Sequence, residues 1–282
     1  MNRALPFLAL LLLPLLLGGC SWFSSSNDVK PADVSAVPVE TLYNHGVDAL
    51  QAKDYKTALA QFDQVEQNYP YSTWASSAQL MQGYTEYLQQ DYTDAIGTLD
   101  RYIQLHPANR DTPYAYYLRA LSFYEQISDV ARDQKATQEA MGALQEVINR
   151  YPDSAYARDA KLKIDLCQDH LAGHEMEIGR FYEQQHLYAA AIGRYQRVVA
   201  DFQTTNHVAE ALARLTDIYL KLGLPDEARR TAAVLGANYP GSEWYATAYS
   251  QLAADGQVPN AAGQLPPPQE HDFFGALWHS VF

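Results

Sequence analysis

The sequence is poor in positive charge, in cysteine and in long apolar runs. Lys and Arg together number 20 against 33 Asp and Glu, a formal net charge of −13. Phosphate binding needs a basic footprint, so this balance argues against a nucleic-acid partner. Cysteine occurs only at Cys20 and Cys167. No Gly-rich phosphate loop and no nucleophile elbow appears, which removes two common routes to enzymatic chemistry. His170 and His174 stand four apart and share a helix face. They lack the intervening glutamate of a metalloprotease helix, and no third ligand is evident. The pair reads as a solvated face, with no metal, no cofactor and no catalytic site expected. The apolar run at residues 4–17 falls short of the roughly 20 residues of a comfortable membrane span.

That short run has another use. It follows a positive start, Asn2-Arg3, and ends in Leu17-Gly18-Gly19-Cys20. This resembles the bacterial lipobox, in which small residues precede a cysteine that becomes the acylated first residue. Residues 1–19 then form a removed signal peptide and Cys20 carries the lipid. Several acyl chains on one cysteine anchor a protein stably, where one does not. In lipoproteins of this kind an aspartate after the cysteine favours the inner membrane. Ser21 stands there, so the expected address is the outer membrane. Residues 20–38 are Ser/Pro-rich and aperiodic, as expected of a tether. With Cys20 acylated, Cys167 has no disulfide partner and reads as a buried structural thiol.

Beyond the tether the chain repeats itself. Asn68–Leu80 (NYPYSTWASSAQL), Arg150–Leu162 (RYPDSAYARDAKL) and Asn238–Leu252 (NYPGSEWYATAYSQL) share an aromatic, a proline and a serine two residues on. A small residue opens each unit: Gly46, Gly83, Ala120, Gly179 and Thr216. An alanine follows at Ala58, Ala95, Ala140, Ala191 and Ala228, then Phe62, Leu99, Leu144, Tyr195 and Ala232 four further on. The third unit fits once eight extra residues are allowed in its inner turn. The small residue lets a second helix approach, and the pair four apart fills the gap from one face. Proline ends that helix and serine caps the next. The spacing resembles the tetratricopeptide repeat, a helix–turn–helix unit of 34 residues. The expected fold is an all-α, right-handed solenoid of about five helix pairs within residues 39–254. The units are 39–72, 76–109, 113–153, 172–205 and 209–242. A connecting helical stretch lies at 154–171 and a terminal helix at 242–254.

The repeat template sends set positions of each first helix into a groove. These are Glu40, Tyr43, Val47, Leu50 and Gln51 in the first unit. Units two and three offer Ser77, Leu80, Tyr84, Tyr87 and Leu88, then Tyr114, Tyr117, Leu121, Tyr124 and Glu125. Units four and five offer Gly173, Met176, Arg180, Glu183 and Gln184, then Glu210, Ala213, Asp217, Leu220 and Lys221. The groove is therefore tyrosine-rich in its first half and polar in its second. Tyrosines suit an extended peptide bearing aromatics. Tyr43, Tyr84, Tyr87, Tyr114, Tyr117 and Tyr124 are the candidate peptide-binding residues.

Four segments carry a more specific resemblance. They are YNHGVDALQAKDYKTALAQFDQVEQNYPYS at 43–72, LHPANRDTPYAYYLRALSFYEQI at 105–127, RDQKATQEAMGALQEVINRYPDSAYARDA at 132–160 and HEMEIGRFYEQQHLYAAAIGRYQRVV at 174–199. Arg132-Asp133-Gln134, inside the third unit's insertion, is more specific than any repeat-consensus residue. Together they resemble the BamD (ComL) family of outer-membrane assembly lipoproteins. The resemblance implies a non-enzymatic subunit of the β-barrel assembly (BAM) complex at the periplasmic face of the outer membrane. It implies contact with the POTRA domains of a BamA-like barrel protein, with other BAM lipoproteins and with unfolded outer-membrane clients. Arg180, Glu183, Arg194 and Arg197 are the polar candidates for partner docking. The rival reading is a repeat lipoprotein serving pilus-secretin assembly or envelope enzymes. Two features depart from the pattern. Gln203 replaces the fourth unit's proline, and residues 255–282 form a Pro-rich linker with an aromatic end. Phe273, Phe274, Leu277, Trp278, Val281 and Phe282 recur at helical spacing. That end is expected to order only when docked, on a partner or in the tyrosine-rich groove.

Overall fold

The computed structural model describes residues 37–257. Cys20, the signal peptide, most of the tether and the aromatic segment of the tail lie outside the described residues. Eleven α-helices follow one another among the described residues. They pair as α1 (Val39–Gln51) with α2 (Tyr55–Asn68), α3 (Thr73–Leu88) with α4 (Tyr92–Leu105), and α5 (Thr112–Tyr124) with α6 (Lys135–Arg150). Then come α7 (Ala155–Gln184) with α8 (Tyr188–Asp201), α9 (His207–Lys221) with α10 (Pro225–Asn238), and α11 (Glu243–Ala254). First helices of successive units also touch: α1 with α3, α3 with α5, α5 with α7, α7 with α9 and α9 with α11. The result is a helix-pair solenoid in which each unit buries its apolar stripe against its neighbours.

The repeated punctuation is a capped joint. Tyr69, Tyr151 and Tyr239 end a second helix with φ of −133°, −134° and −131° and bond back to the last turn. Pro holds the chain out of the helix, and serine starts the next one. Ser72 Oγ accepts from Ala75 N at 3.2 Å, Ser154 Oγ from Ala157 N at 3.0 Å and Ser242 Oγ from Tyr245 N at 3.1 Å. The departure at Gln203 leaves the joint intact. Phe202 keeps a φ of −127°, and Thr205 Oγ1 donates to the Phe202 carbonyl at 2.9 Å. Proline favours this conformation without being required for it.

Four of the five inner turns are equally regular. Lys53, Gln90, His186 and Gly223 each take a positive φ, from 57° to 71°. Each accompanies a pair of bonds to carbonyls three and five residues back, for example Gly223 N to Leu220 O and Leu224 N to Tyr219 O, both 2.9 Å. This is a Schellman-type end that reverses the chain into the second helix.

The alanine of every unit is fully buried: Ala58, Ala95, Ala140, Ala191 and Ala228 are each 0% exposed. So are Phe62, Leu99, Leu144 and Tyr195, the residues four further on. These side chains lie on the small residues. A Cβ at Gly46 would come within 2.6 Å of Phe62 Cε1, and one at Gly83 within 2.8 Å of Leu99 Cδ2. The helix α7 joins the connecting stretch to the fourth unit's first helix without a break. At 30 residues it is about 45 Å long. Its first half packs in a core with units two and three, its second half in a core reaching α11. Cys167 lies in α7 at 1% exposure, and burial pushes its thiol up to about 11.

Candidate functional site

All six candidate tyrosines are half-buried. They are held by neighbours from the repeat template and from outside it. Tyr43 meets Trp74 at 4.9 Å and Phe62 at 5.7 Å between ring centroids. Tyr114 and Tyr117 both pack on Tyr156, at 5.7 Å and 5.2 Å. Tyr117 donates to Asp159, Tyr87 donates to Glu125 at 3.3 Å, and Lys163 Nζ sits 4.8 Å from the Tyr124 ring. Tyr84 packs at the edge of the same core. Burial, with the Glu125 charge next, pushes the Tyr87 hydroxyl up to about 12. Burial, with neighbouring tyrosines, does the same at Tyr114. Tyr117 is raised by burial and then by its bond to Asp159. These hydroxyls stay protonated at neutral pH, and those of Tyr87 and Tyr117 act as donors.

The groove map needs one correction. Leu80, Met176 and Ala213 share one template position, and all three are buried in the core, at 8%, 0% and 5% exposure. Gly173 is buried as well. Small and aliphatic residues at that position sink between helices, whereas Tyr43 and Tyr117 are too large to disappear there. Tyr156, Trp74, Asp159 and Lys163 were missed. Tyr156, Asp159 and Lys163 lie on the connecting half of α7, outside the repeat template.

The second half of the array is an ion-pair lattice. Arg180 Nη1 lies 3.1 Å from Glu210 Oε1, and Arg214 reaches both Glu210 at 2.7 Å and Glu183 at 3.1 Å. Tyr195 donates to Glu183 at 2.8 Å, and Lys221 lies 2.5 Å from Asp217. Arg180, Glu183, Arg214 and Lys221 border a cavity of about 260 Å³ with His186 and Tyr188.

Arg194 and Arg197 belong to a different place. Both hold Glu175, at 2.9 Å and 3.0 Å, and Glu175 is only 8% exposed. Glu175 and Arg197 line a second cavity, of about 580 Å³, with Arg132, Asp133 and Gln134 of the third unit's insertion. His174 Nδ1 meets the Val130 carbonyl and pins that insertion to α7. The structure thus brings together the insertion and Arg197, with Arg194 joined to them through Glu175, where the sequence left separate features. It places Arg180 and Glu183 elsewhere. Among the described residues no group of three His, Cys, Asp or Glu could hold a metal ion.

Among the described residues this arrangement is a scaffold with two chemically distinct halves. Residues 35–235 match a family described as an outer membrane lipoprotein. The chain is 48% identical over 222 residues to the outer membrane protein assembly factor BamD of Caulobacter vibrioides, covering 79% of this chain and 73% of that one. The chain belongs to the BamD family of outer-membrane lipoproteins. BamD of Rickettsia prowazekii is 46% identical over 241 residues, 86% of this chain and 94% of the relative. The family's members are non-catalytic, and this chain is not an enzyme. A solved type IV pilus biogenesis factor, PilW, is 15% identical and covers 77% of this chain and 84% of its own, with a TM-score of 0.33. A likeness that low carries no argument about function.

Proposed function

We propose that this chain is the lipid-anchored subunit of a β-barrel assembly complex. It holds a BamA-like barrel protein through that protein's POTRA domains and passes it unfolded outer-membrane precursors. The observation that carries this reading is the division of the array in a BamD-family chain. Six half-buried tyrosines mark its first three units, and paired charges dominate the next two. The tyrosine half receives the client. Its rings are already fixed by stacking and by bonds to Glu125 and Asp159, so a peptide docks there with little further ordering cost. The polar half, with Arg180, Glu183, Arg194 and Arg197, docks the POTRA region, where charge sets partner choice and association rate. Other BAM lipoproteins share that end. The array works at the periplasmic face, held by acylated Cys20.

Photo-crosslinkers at Tyr84, Tyr87, Tyr117 and Tyr124 are expected to capture peptides from the C-terminal ends of barrel proteins. Capture only from exposed second-helix positions such as Gly97 and Gly193 would place the client on the other layer. Cys20→Ala is expected to leave the precursor unprocessed or release the protein from membranes. Normal outer-membrane fractionation of the parent without acyl mass on Cys20 would remove the anchor from this account.

A further inference from the structure

Among the described residues α11 is a first helix without a second. It starts at the usual joint, Tyr239-Pro240 with Ser242 as cap. Counting from the proline, Ala253 follows Pro240 at the same interval as Gly83 follows Pro70 and Ala120 follows Pro107. Ala253 therefore occupies the small-residue position. In the complete units that position is buried, with Phe62, Leu99 and Tyr195 lying on its three glycines. Ala253 is instead exposed, and Tyr249, one turn before it, is half-exposed.

How α11 ends gives the second observation. Gly256 takes a φ of 67°. Its N–H bonds to Ala253 O at 3.1 Å, and Gln257 N bonds to Leu252 O at 2.9 Å. This is the bond pair that surrounds Lys53, Gln90, His186 and Gly223, each of which leads straight into a second helix. The turn comes one helical turn earlier here, four residues at 100° each. That rotates the exit by only about 40°, so the chain leaves toward nearly the same face.

The sequence beyond Gln257 supplies a matching occupant. On a helix, Phe273, Phe274, Leu277, Trp278, Val281 and Phe282 would fall on one side, with Asp272, Gly275, Ala276, His279 and Ser280 on the other. Such a helix would be about 15 Å long, against about 18 Å for α11. A solenoid end needs a cap with a polar outer face, and the side of this segment away from its aromatics carries no large apolar residue. We propose that residues 273–282 fold back onto the Tyr249–Ala253 face of α11 and close the array in place of a sixth second helix. A helix this short is marginal alone, so its order depends on that contact.

Hydrogen exchange on the full chain, at a dilution where light scattering reports a monomer, tests this. Residues 273–282 and 245–254 are expected to be protected together. Ala253→Glu, at an exposed position, should speed exchange in 273–282 about tenfold or more while α9 and α10 keep their protection. Trp278→Asp should in turn expose α11. Equal, fast exchange of 273–282 in parent and Ala253→Glu would overturn the proposal. So would protection that appears only on dimerisation, or protection indifferent to Ala253→Glu but lost in Tyr87→Ala and Tyr117→Ala.

Discussion

Gly179→Leu is expected to unfold at much lower urea than the parent, losing about 3 kcal/mol of stability. A Cβ on Gly179 would lie 2.8 Å from Cδ1 and 2.9 Å from Cζ of Tyr195. That ring cannot swing away. It is 0% exposed, and its hydroxyl donates to Glu183. Gly179→Ala should lose about 1–2 kcal/mol, because the clash exceeds the roughly 1 kcal/mol that alanine adds to a helix. Gly193 is the contrast. It lies in α8 with nothing within 4 Å of a built Cβ, so Gly193→Ala should be neutral or stabilising by up to about 1 kcal/mol. Urea midpoints followed by circular dichroism decide the matter. Equal effects at the two glycines would mean that the close approach of α7 and α8 does not control stability.

Arg194→Glu is expected to cost about 2–3 kcal/mol of stability in addition to weakening partner docking. The reason is Glu175, which is nearly buried and shared between Arg194 and Arg197. Reversal removes one cation and brings a second carboxylate to a group that water scarcely reaches. Breaking a buried pair from one side costs more than the pair itself contributes. The partial exposure of Arg194, 33% for its side chain, keeps the figure below the range for fully buried pairs. Glu175→Gln in the same chain should recover most of the loss. If Arg194→Glu alone keeps the parent's urea midpoint, Glu175 is not held by this arginine in solution. Arg197 is the better probe of docking, since its side chain is 54% exposed and also faces Asp201.

The joints were legible because they are local. A proline, a serine two residues on and an alanine at fixed spacing act within one or two turns, and each appears where its chemistry places it. The five buried alanines follow from the same arithmetic. What the template could not give was the company each side chain keeps. Tyr156 and Asp159 come from the connecting stretch between the third and fourth units, yet they fix Tyr114 and Tyr117. The arginines expected to dock a partner are also paired within the chain, because Glu175, Glu183 and Glu210 lie on first helices distant in sequence or facing across a unit. The Leu80, Met176 and Ala213 positions show the limit of a groove map. At that one position the tyrosines of units one and three stay partly exposed while the aliphatic residues of the other units are buried.

Recovery of partners from detergent-solubilised membranes tests the central claim most directly. A barrel protein carrying POTRA domains is expected to co-purify with the parent and with Gly193→Ala. Its recovery should fall with Arg197→Glu, while circular dichroism shows the helices intact. Recovery of no barrel protein, or of a pilus secretin in its place, would contradict the account.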